Sequence, residues 1–178
     1  MIDVLAPDEA IQAAPELAAV FLSAFGAPGY DETPERAEEF ATEQIPLHSQ
    51  RDDFKLVVSR ADGSITGFAY GFTGQRGQWW SDRIAGAVSP ELAAEWIGGH
   101  FEVVELAVMV DAQRQGLGEA LMGALMTDLP HRKALLTTYA DDRPAPRLYR
   151  RMGWQVLVQD LGWGSALYGM DTGVPVGH

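Results

Sequence analysis

Gln113-Arg114-Gln115-Gly116-Leu117-Gly118-Glu119-Ala120-Leu121-Met122 is the stretch on which the reading of this chain turns. Two glycines fall where one kind of pattern stops and another starts. Upstream, Phe101–Val110 is dense in valine and reads as a strand. Downstream, Leu117, Ala120, Leu121, Ala124 and Leu125 recur at helical spacing, so Leu117–Met126 reads as a helix. The first turn of a helix has unpaired N–H groups and the positive end of the dipole, and so attracts anions. Glycine lets phosphate oxygens approach that backbone without a Cβ in the way. The segment reads as a pyrophosphate cradle or, with equal weight, as a tight strand-to-helix turn. A P-loop is excluded because no lysine follows the second glycine, and a dinucleotide fingerprint because the third glycine is missing.

Working outward, Pro7–Phe25 has helical spacing and ends at Gly26. Thr33 and Pro34 open a second helix that should run to Ile45, before Pro46. Phe54–Ser59 and Ile65–Phe72 read as a hairpin about Asp62-Gly63, with Phe68, Tyr70 and Phe72 on one face. Residues 73–100 read as an insertion over a surface or cleft, with a short helix at Pro90–Ile97. After the central helix come a strand at Ala134–Tyr139 and a helix at Pro144–Met152, for which Asp141 or Asp142 could be the cap. Strands at Trp154–Leu161 and Ala166–Met170 finish the order. No repeat or linker interrupts it, so residues 1–178 are expected to be a single domain. The expected class is α/β (α+β), with a mixed sheet and helices on both faces.

Composition narrows the function. The chain has no cysteine, which excludes disulfides, thiolate metal sites and a cysteine nucleophile, and fits the cytoplasm. His48, His100, His131 and His178 are too scattered for a metal site. No apolar run is long enough to span a membrane, and the N-terminus does not read as a signal peptide. The net charge of −12 argues against nucleic acid and anionic membranes as partners. The acid is uneven: residues 1–100 hold 16 Asp and Glu against 6 Lys and Arg, whereas residues 101–153 hold 7 of each. That is either a solvated acidic face or a half that receives a cationic ligand beside a half that holds an anionic one.

A second motif decides between cradle and turn. Arg147-Leu148-Tyr149-Arg150-Arg151-Met152-Gly153-Trp154 follows a strand on a short helix. With Gln113-Arg114-Gln115-Gly116-Leu117-Gly118 and the strand Glu105-Leu106-Ala107-Val108, it resembles the GCN5-related N-acetyltransferase (GNAT) family. The first segment matches that family's [Q/R]xxGx[G/A] motif. Ala145, Leu148, Tyr149 and Gly153 match its downstream N-x-x-A-x-x-L-Y-x-x-x-G-F pattern, with Asp142 for asparagine and Trp154 for phenylalanine. The resemblance implies the GNAT fold, with a mixed, mostly antiparallel central sheet of about six to seven strands.

It also implies transfer of an acetyl group from acetyl-CoA to an amine, without an acyl-enzyme and without a metal. The phosphates would lie on the amides from Arg114 to Glu119, and Arg114 with Arg147 or Arg150 would add charge. The pantetheine arm would lie beside the backbone of Leu106, Val108 and Val110, with Asp142 and Ala145 also near the cofactor. Tyr149 would protonate the leaving thiolate. Glu102 and Glu105 are the two candidates for the base. Strand alternation sets them on opposite faces unless a bulge intervenes, and the E-L-x-V position favours Glu105.

The acceptor is expected to be a small cationic amine: a polyamine, an aminoglycoside-like molecule or an amino-acid derivative. Tyr30, Phe68, Tyr70, Trp79 and Trp80 are candidate ring surfaces for it, Trp79 and Trp80 being equally readable as anchors of the insertion. A protein N-terminus or lysine is the alternative acceptor. A non-catalytic acyl-CoA-binding or interaction protein of the same fold is the rival from another class. Trp163 and the last strand are where a homodimer would form.

Overall fold

The structure is a computed structural model and describes residues 1–175, so His178 lies outside the described residues. Seven strands are present: β1 (Ile2–Leu5), β2 (Lys55–Ala61), β3 (Ser64–Gly74), β4 (His100–Val108), β5 (Lys133–Tyr139), β6 (Gln155–Val158) and β7 (Ser165–Asp171). They form one sheet in the order β1-β2-β3-β4-β5-β7-β6. It is mostly antiparallel; β4 and β5 pair in parallel, Phe101 with Ala134 and Glu102 with Leu135. Chain contacts gather into two compact units, Met1–Phe72 with Val104–Thr127, and Thr73–Val103 with the chain from Asp128 onward.

The first unit begins with a strand that the sequence pattern did not reveal. β1 is four residues long and pairs antiparallel with β2, Leu5 against Leu56. The helix expected over Pro7–Phe25 is two helices, α1 (Pro7–Gln12) and α2 (Ala14–Phe25). Pro15 sits in the first turn of α2. It has no N–H to bond back into α1, and proline is tolerated at a helix start but not in its interior.

The next helix differs in the other direction. Thr33 caps α3 (Pro34–Glu39) as expected, its Oγ1 accepting from the Arg36 N–H at 3.2 Å. Pro46 does not end the helix. A π-helical turn, Phe40–Gln44, carries α3 into α4 (Ile45–His48), with the Ile45 N–H donating to the Phe40 carbonyl. The wider turn changes the bonding frame just before a residue that has no N–H to give.

β2 and β3 form the expected hairpin, with Asp62 and Gly63 at φ 51° and 82°, the left-handed pair a two-residue turn requires. Phe68 and Tyr70 face a core built with Leu17, Phe21, Phe40 and Ile45. The opposite face receives α7 (Leu117–Met126), since a Cβ on Gly67 would stand 2.9 Å from Leu121 Cδ1. Helices therefore cover both faces of this unit's strands. Lys55 then fixes one end of α7: its Nζ donates to the Ala124 and Thr127 carbonyls at 2.9 and 2.6 Å. A cation at a helix C-terminus satisfies orphan carbonyls and opposes the negative end of the dipole.

In the second unit, residues 73–100 supply two helices, α5 (Trp79–Ala87) and α6 (Pro90–Trp96). Ser89 caps α6 by accepting from the Leu92 N–H. The Trp96 ring lies where a Cβ on Gly169 would stand, 2.6 Å away, so α6 seals one face of β7. On the other face lies α8 (Pro144–Arg151), whose Tyr149 ring meets Tyr168 edge-on at 6.3 Å.

Replacing Lys55 by methionine keeps most of the stem but removes two of the bonds at the end of α7, where the Thr127 N–H and Oγ1 still reach the Ala124 and Gly123 carbonyls. The expected loss is about 1–2 kcal/mol. A lower urea midpoint with an unchanged m-value is the reading that supports this; an unchanged midpoint shows that the two bonds contribute nothing.

Candidate active site

The loop quoted at the outset begins where β4 ends. The strand was expected to reach Val110, but it stops at Val108, and Val110–Ala112 is a 3-10 turn. The Val110 N–H donates to Ser23 Oγ at 3.1 Å, and Gln113 Nε2 donates to the Val108 carbonyl at 2.9 Å. Val110 is therefore no strand partner for a ligand, and Gln113 acts as a brace inside the loop. Leu106 remains within the strand.

Arg114 and Gly116 both have positive φ, 63° and 80°. Gly116 is the N-cap of α7 and provides no side-chain bond to the first turn. Nothing in the protein would meet a Cβ at Gly116, so the demand for glycine comes from its φ and not from crowding. The first helical bond is that of the Ala120 N–H to the Gly116 carbonyl. Ahead of it, the amides of Leu117, Gly118 and Glu119 have no place in the helical ladder. An open helix N-terminus with exposed Arg114 and Gln115 before it fits a diphosphate.

Glu105, also in the first unit, is the most perturbed carboxyl of the described residues. Burial raises its pKa to about 8, while the charge of Arg36 lowers it and that of Glu32 raises it further. Arg36 belongs to a line of side chains that the sequence did not mark. Its Nη2 donates to Gln44 Oε1 at 2.5 Å, and Gln44 Nε2 donates to the Tyr70 hydroxyl at 2.8 Å. The Tyr70 hydroxyl also shares a 2.8 Å hydrogen bond with His48 Nδ1. Burial, reinforced by the charges of Arg51 and Arg36, holds the His48 pKa down to about 4, so that ring is neutral near pH 7. The Arg36 guanidinium lies over the Phe21 ring, 5.7 Å from its centroid, and that ring is stacked on Phe40.

Glu102 belongs to the second unit and is 5% exposed. His100 Nδ1 accepts from the Gly98 N–H at 3.0 Å, which in the neutral ring leaves the proton on Nε2. That nitrogen lies 3.9 Å from Glu102 Oε1, and neither atom has a hydrogen-bond partner among the described residues. The ring fills the space beside Gly74 where a Cβ would stand, its Nε2 and Cε1 nearest.

In the same unit Tyr149 is 7% exposed, packed edge-on against Trp154 and Tyr168. Neither aspartate caps α8 as expected, because its N-cap is Arg143. Asp141 accepts from the Arg143 N–H, and Asp142 accepts from Arg150 Nη2 at 2.8 Å. Arg150 Nη1 donates to the Tyr168 hydroxyl at 2.9 Å. These bonds line a cavity of about 410 Å³, and they leave Arg150 committed within it. Arg147 is exposed and Ala145 half-buried on α8.

The aromatic candidates separate. Phe68 and Tyr70 are 0% exposed and belong to the core, so they offer no ring face to a ligand. Trp80 is half-buried against the cluster of Ile84, Trp96 and Leu167. Trp79 is 71% exposed, and Arg83 already lies between it and Trp163, 5.1 and 4.1 Å from the two centroids. Tyr30 is half-buried, edge-on to Phe25.

Among the described residues no group of His, Asp and Glu is placed to hold a metal ion, and no helix is long and apolar enough to cross a membrane. Residues 16–154 match the Acetyltransferase (GNAT) family. A GCN5-like protein acetyltransferase of Mycobacterium tuberculosis is 35% identical over 133 residues, which is 70% of this chain and 60% of that protein. The chain thus spans about 60% of the length of that curated relative. Among solved structures, a GNAT-family acetyltransferase of Desulfovibrio desulfuricans superposes with a TM-score of 0.68 at 18% identity, covering 97% of this chain and 98% of that one. The PaiA N-acetyltransferase of Thermoplasma acidophilum, solved with coenzyme A, superposes with a TM-score of 0.66 at 14% identity, covering 96% and 99%. With the family's glycine loop opening a helix behind β4 and its fold around that loop, the chain belongs to the acetyltransferase (GNAT) family, whose acyl donor is acetyl-CoA.

Proposed function

We propose that the chain is an N-acetyltransferase that moves the acetyl group of acetyl-CoA onto the amine of a small molecule. The observation that carries the N-acetyl reading is Glu105. An amine is protonated in water and must lose a proton before it can attack, and a half-buried carboxyl whose pKa is pushed up to about 8 is, once ionised, a stronger base for that proton than an ordinary carboxylate. Acetyl-CoA supplies an acyl carbon bonded to a good leaving group. The amides from Leu117 to Glu119 bind its diphosphate, with Arg114 beside them and the exposed Arg147 on α8 as a further cation.

Glu105 takes the first proton from the ammonium group. The amine nitrogen then bonds to the acyl carbon as the carbon–sulfur bond breaks. Tyr149 gives its phenolic proton to the thiolate, and the second proton released from nitrogen restores the phenol through solvent. Glu102, closed in beside His100, is the second carboxyl for which this role is tested.

One observation favours another acceptor. The mycobacterial relative is named a protein acetyltransferase. On that reading the amine is a lysine side chain or an N-terminus of a polypeptide.

Two measurements test the proposal. Calorimetry with acetyl-CoA should show one site per chain, lost in Gly116→Glu, whose side chain and unfavourable φ both oppose the cradle. Unaltered binding in that variant removes the cradle. With any accepted amine, kcat/KM should rise from pH 6.5 to an apparent pKa near 8 that stays put when acceptors of different amine pKa are compared. Glu105→Gln should remove that limb and lower kcat by about 10²–10⁴-fold. A limb that survives in Glu105→Gln and disappears in Glu102→Gln transfers the role to Glu102.

A further inference from the structure

Arg83 lies between two indoles. Its guanidinium stands 5.1 Å from the Trp79 ring centroid and 4.1 Å from that of Trp163. All three residues belong to the second unit: Trp79 and Arg83 are one turn apart on α5, and Trp163 lies in the loop before β7. Trp79 is 71% exposed and Trp163 40%, and Arg83 is exposed between them. Large exposed rings mark an interaction surface when they stand together rather than singly. Tryptophan and arginine are also residue types on which protein interfaces most depend.

The charges on this patch are left without partners. The chain has 25 acidic side chains against 13 basic ones, yet among the described residues the Arg83 side chain meets no acid. Its neighbour Asp82 is taken by Arg76 Nε at 3.1 Å and by the Gly77 N–H at 3.0 Å. The loop that carries Trp163 has the converse, an acid without a cation. Asp160 is exposed and forms no ion pair among the described residues. Its carboxylate accepts from the Gly162 N–H at 2.8 Å, which holds it on the loop one residue before Trp163.

A surface that bears both members of a pair, each unmet within the chain, is self-complementary. Turned about a two-fold axis, the cation of each copy faces the anion of the other. An acidic partner would answer Arg83 but be repelled by Asp160, and a basic partner the reverse. The position suits a second copy, since β6 is the outermost strand of the sheet and ends at Val158, just before Asp160.

We propose that this face is a two-fold interface between copies of the chain. Trp79 and Trp163 pack across the axis, and Arg83 of each copy pairs with Asp160 of the other. The proposal does not rest on the acetyltransferase reading.

Sedimentation of the full chain at physiological salt, over a range of concentrations, tests it. The expected result is a reversible species of twice the 19.4 kDa chain mass. Arg83→Glu and Asp160→Arg should each weaken its formation by about tenfold or more, because a like-charge contact then occurs twice. Mixing the two variants should restore it, since every such contact in the mixed pair joins an acid to a cation. Trp79→Ala should weaken it as well, by loss of the ring contact. These side chains are exposed, so the far-UV circular dichroism of each variant should match that of the unaltered chain. A monomer at every concentration, growth beyond the dimer, a dimer that none of the three substitutions weakens, or a mixture that stays monomeric each overturns the proposal.

Discussion

One end of α7 is closed by Lys55 and the other is left open by a glycine. That asymmetry is the constraint on which the loop and the amides that open the helix depend. A helix end without partners is unstable unless something satisfies its backbone groups. At the C-terminus a charged side chain from β2 does this from within the fold. At the N-terminus Gly116 supplies only the left-handed turn, and the amides behind it have no partner in the helical ladder. Gln113 and Ser23 add to this by engaging the Val108 carbonyl and the Val110 N–H, so the loop that aims those amides is braced from both sides.

The π turn does a similar job for the other group that matters in this unit. An uninterrupted α-helix from Thr33 would bring Pro46 into its interior, where the missing N–H and the ring are costly. Widening one turn accommodates the proline and re-aims Gln44. Gln44 then connects the charged Arg36 to the buried Tyr70 and His48. In such a half-buried line each bond polarises the next and helps to fix its members in place. The orientation of a half-exposed arginine is in this way set from inside the protein.

The fold was legible because its signals were local and periodic. The hairpin followed from Asp62-Gly63, the span of α7 from its apolar spacing, and the glycine loop from its position between the two patterns. What escaped depended on partners far along the chain. β1 is four residues long and has meaning only against β2; Lys55 caps a helix more than sixty residues away. Tyr70 looked like a binding surface because a strand pattern shows which face a residue is on, but not whether that face is covered. Phe40 and Ile45 cover it. Arg36 escaped for the same reason, since nothing about a single arginine in an acidic helix announces what stands opposite.

Glu102 and Glu105 show what alternation alone can do. It separates them, and the structure finds them in different surroundings: one beside a histidine whose ring lies on Gly74, the other in the field of an arginine and a glutamate. The same contrast bears on the chain's surplus of acid. A net charge of −12 suggests a cationic ligand when it is summed over the molecule. Salt screens exposed charges beyond about 8 Å at physiological ionic strength, so most of that surplus is weak at any one buried group. At Glu105 the field comes from desolvation, Arg36 and Glu32, and the two side chains act in opposite senses.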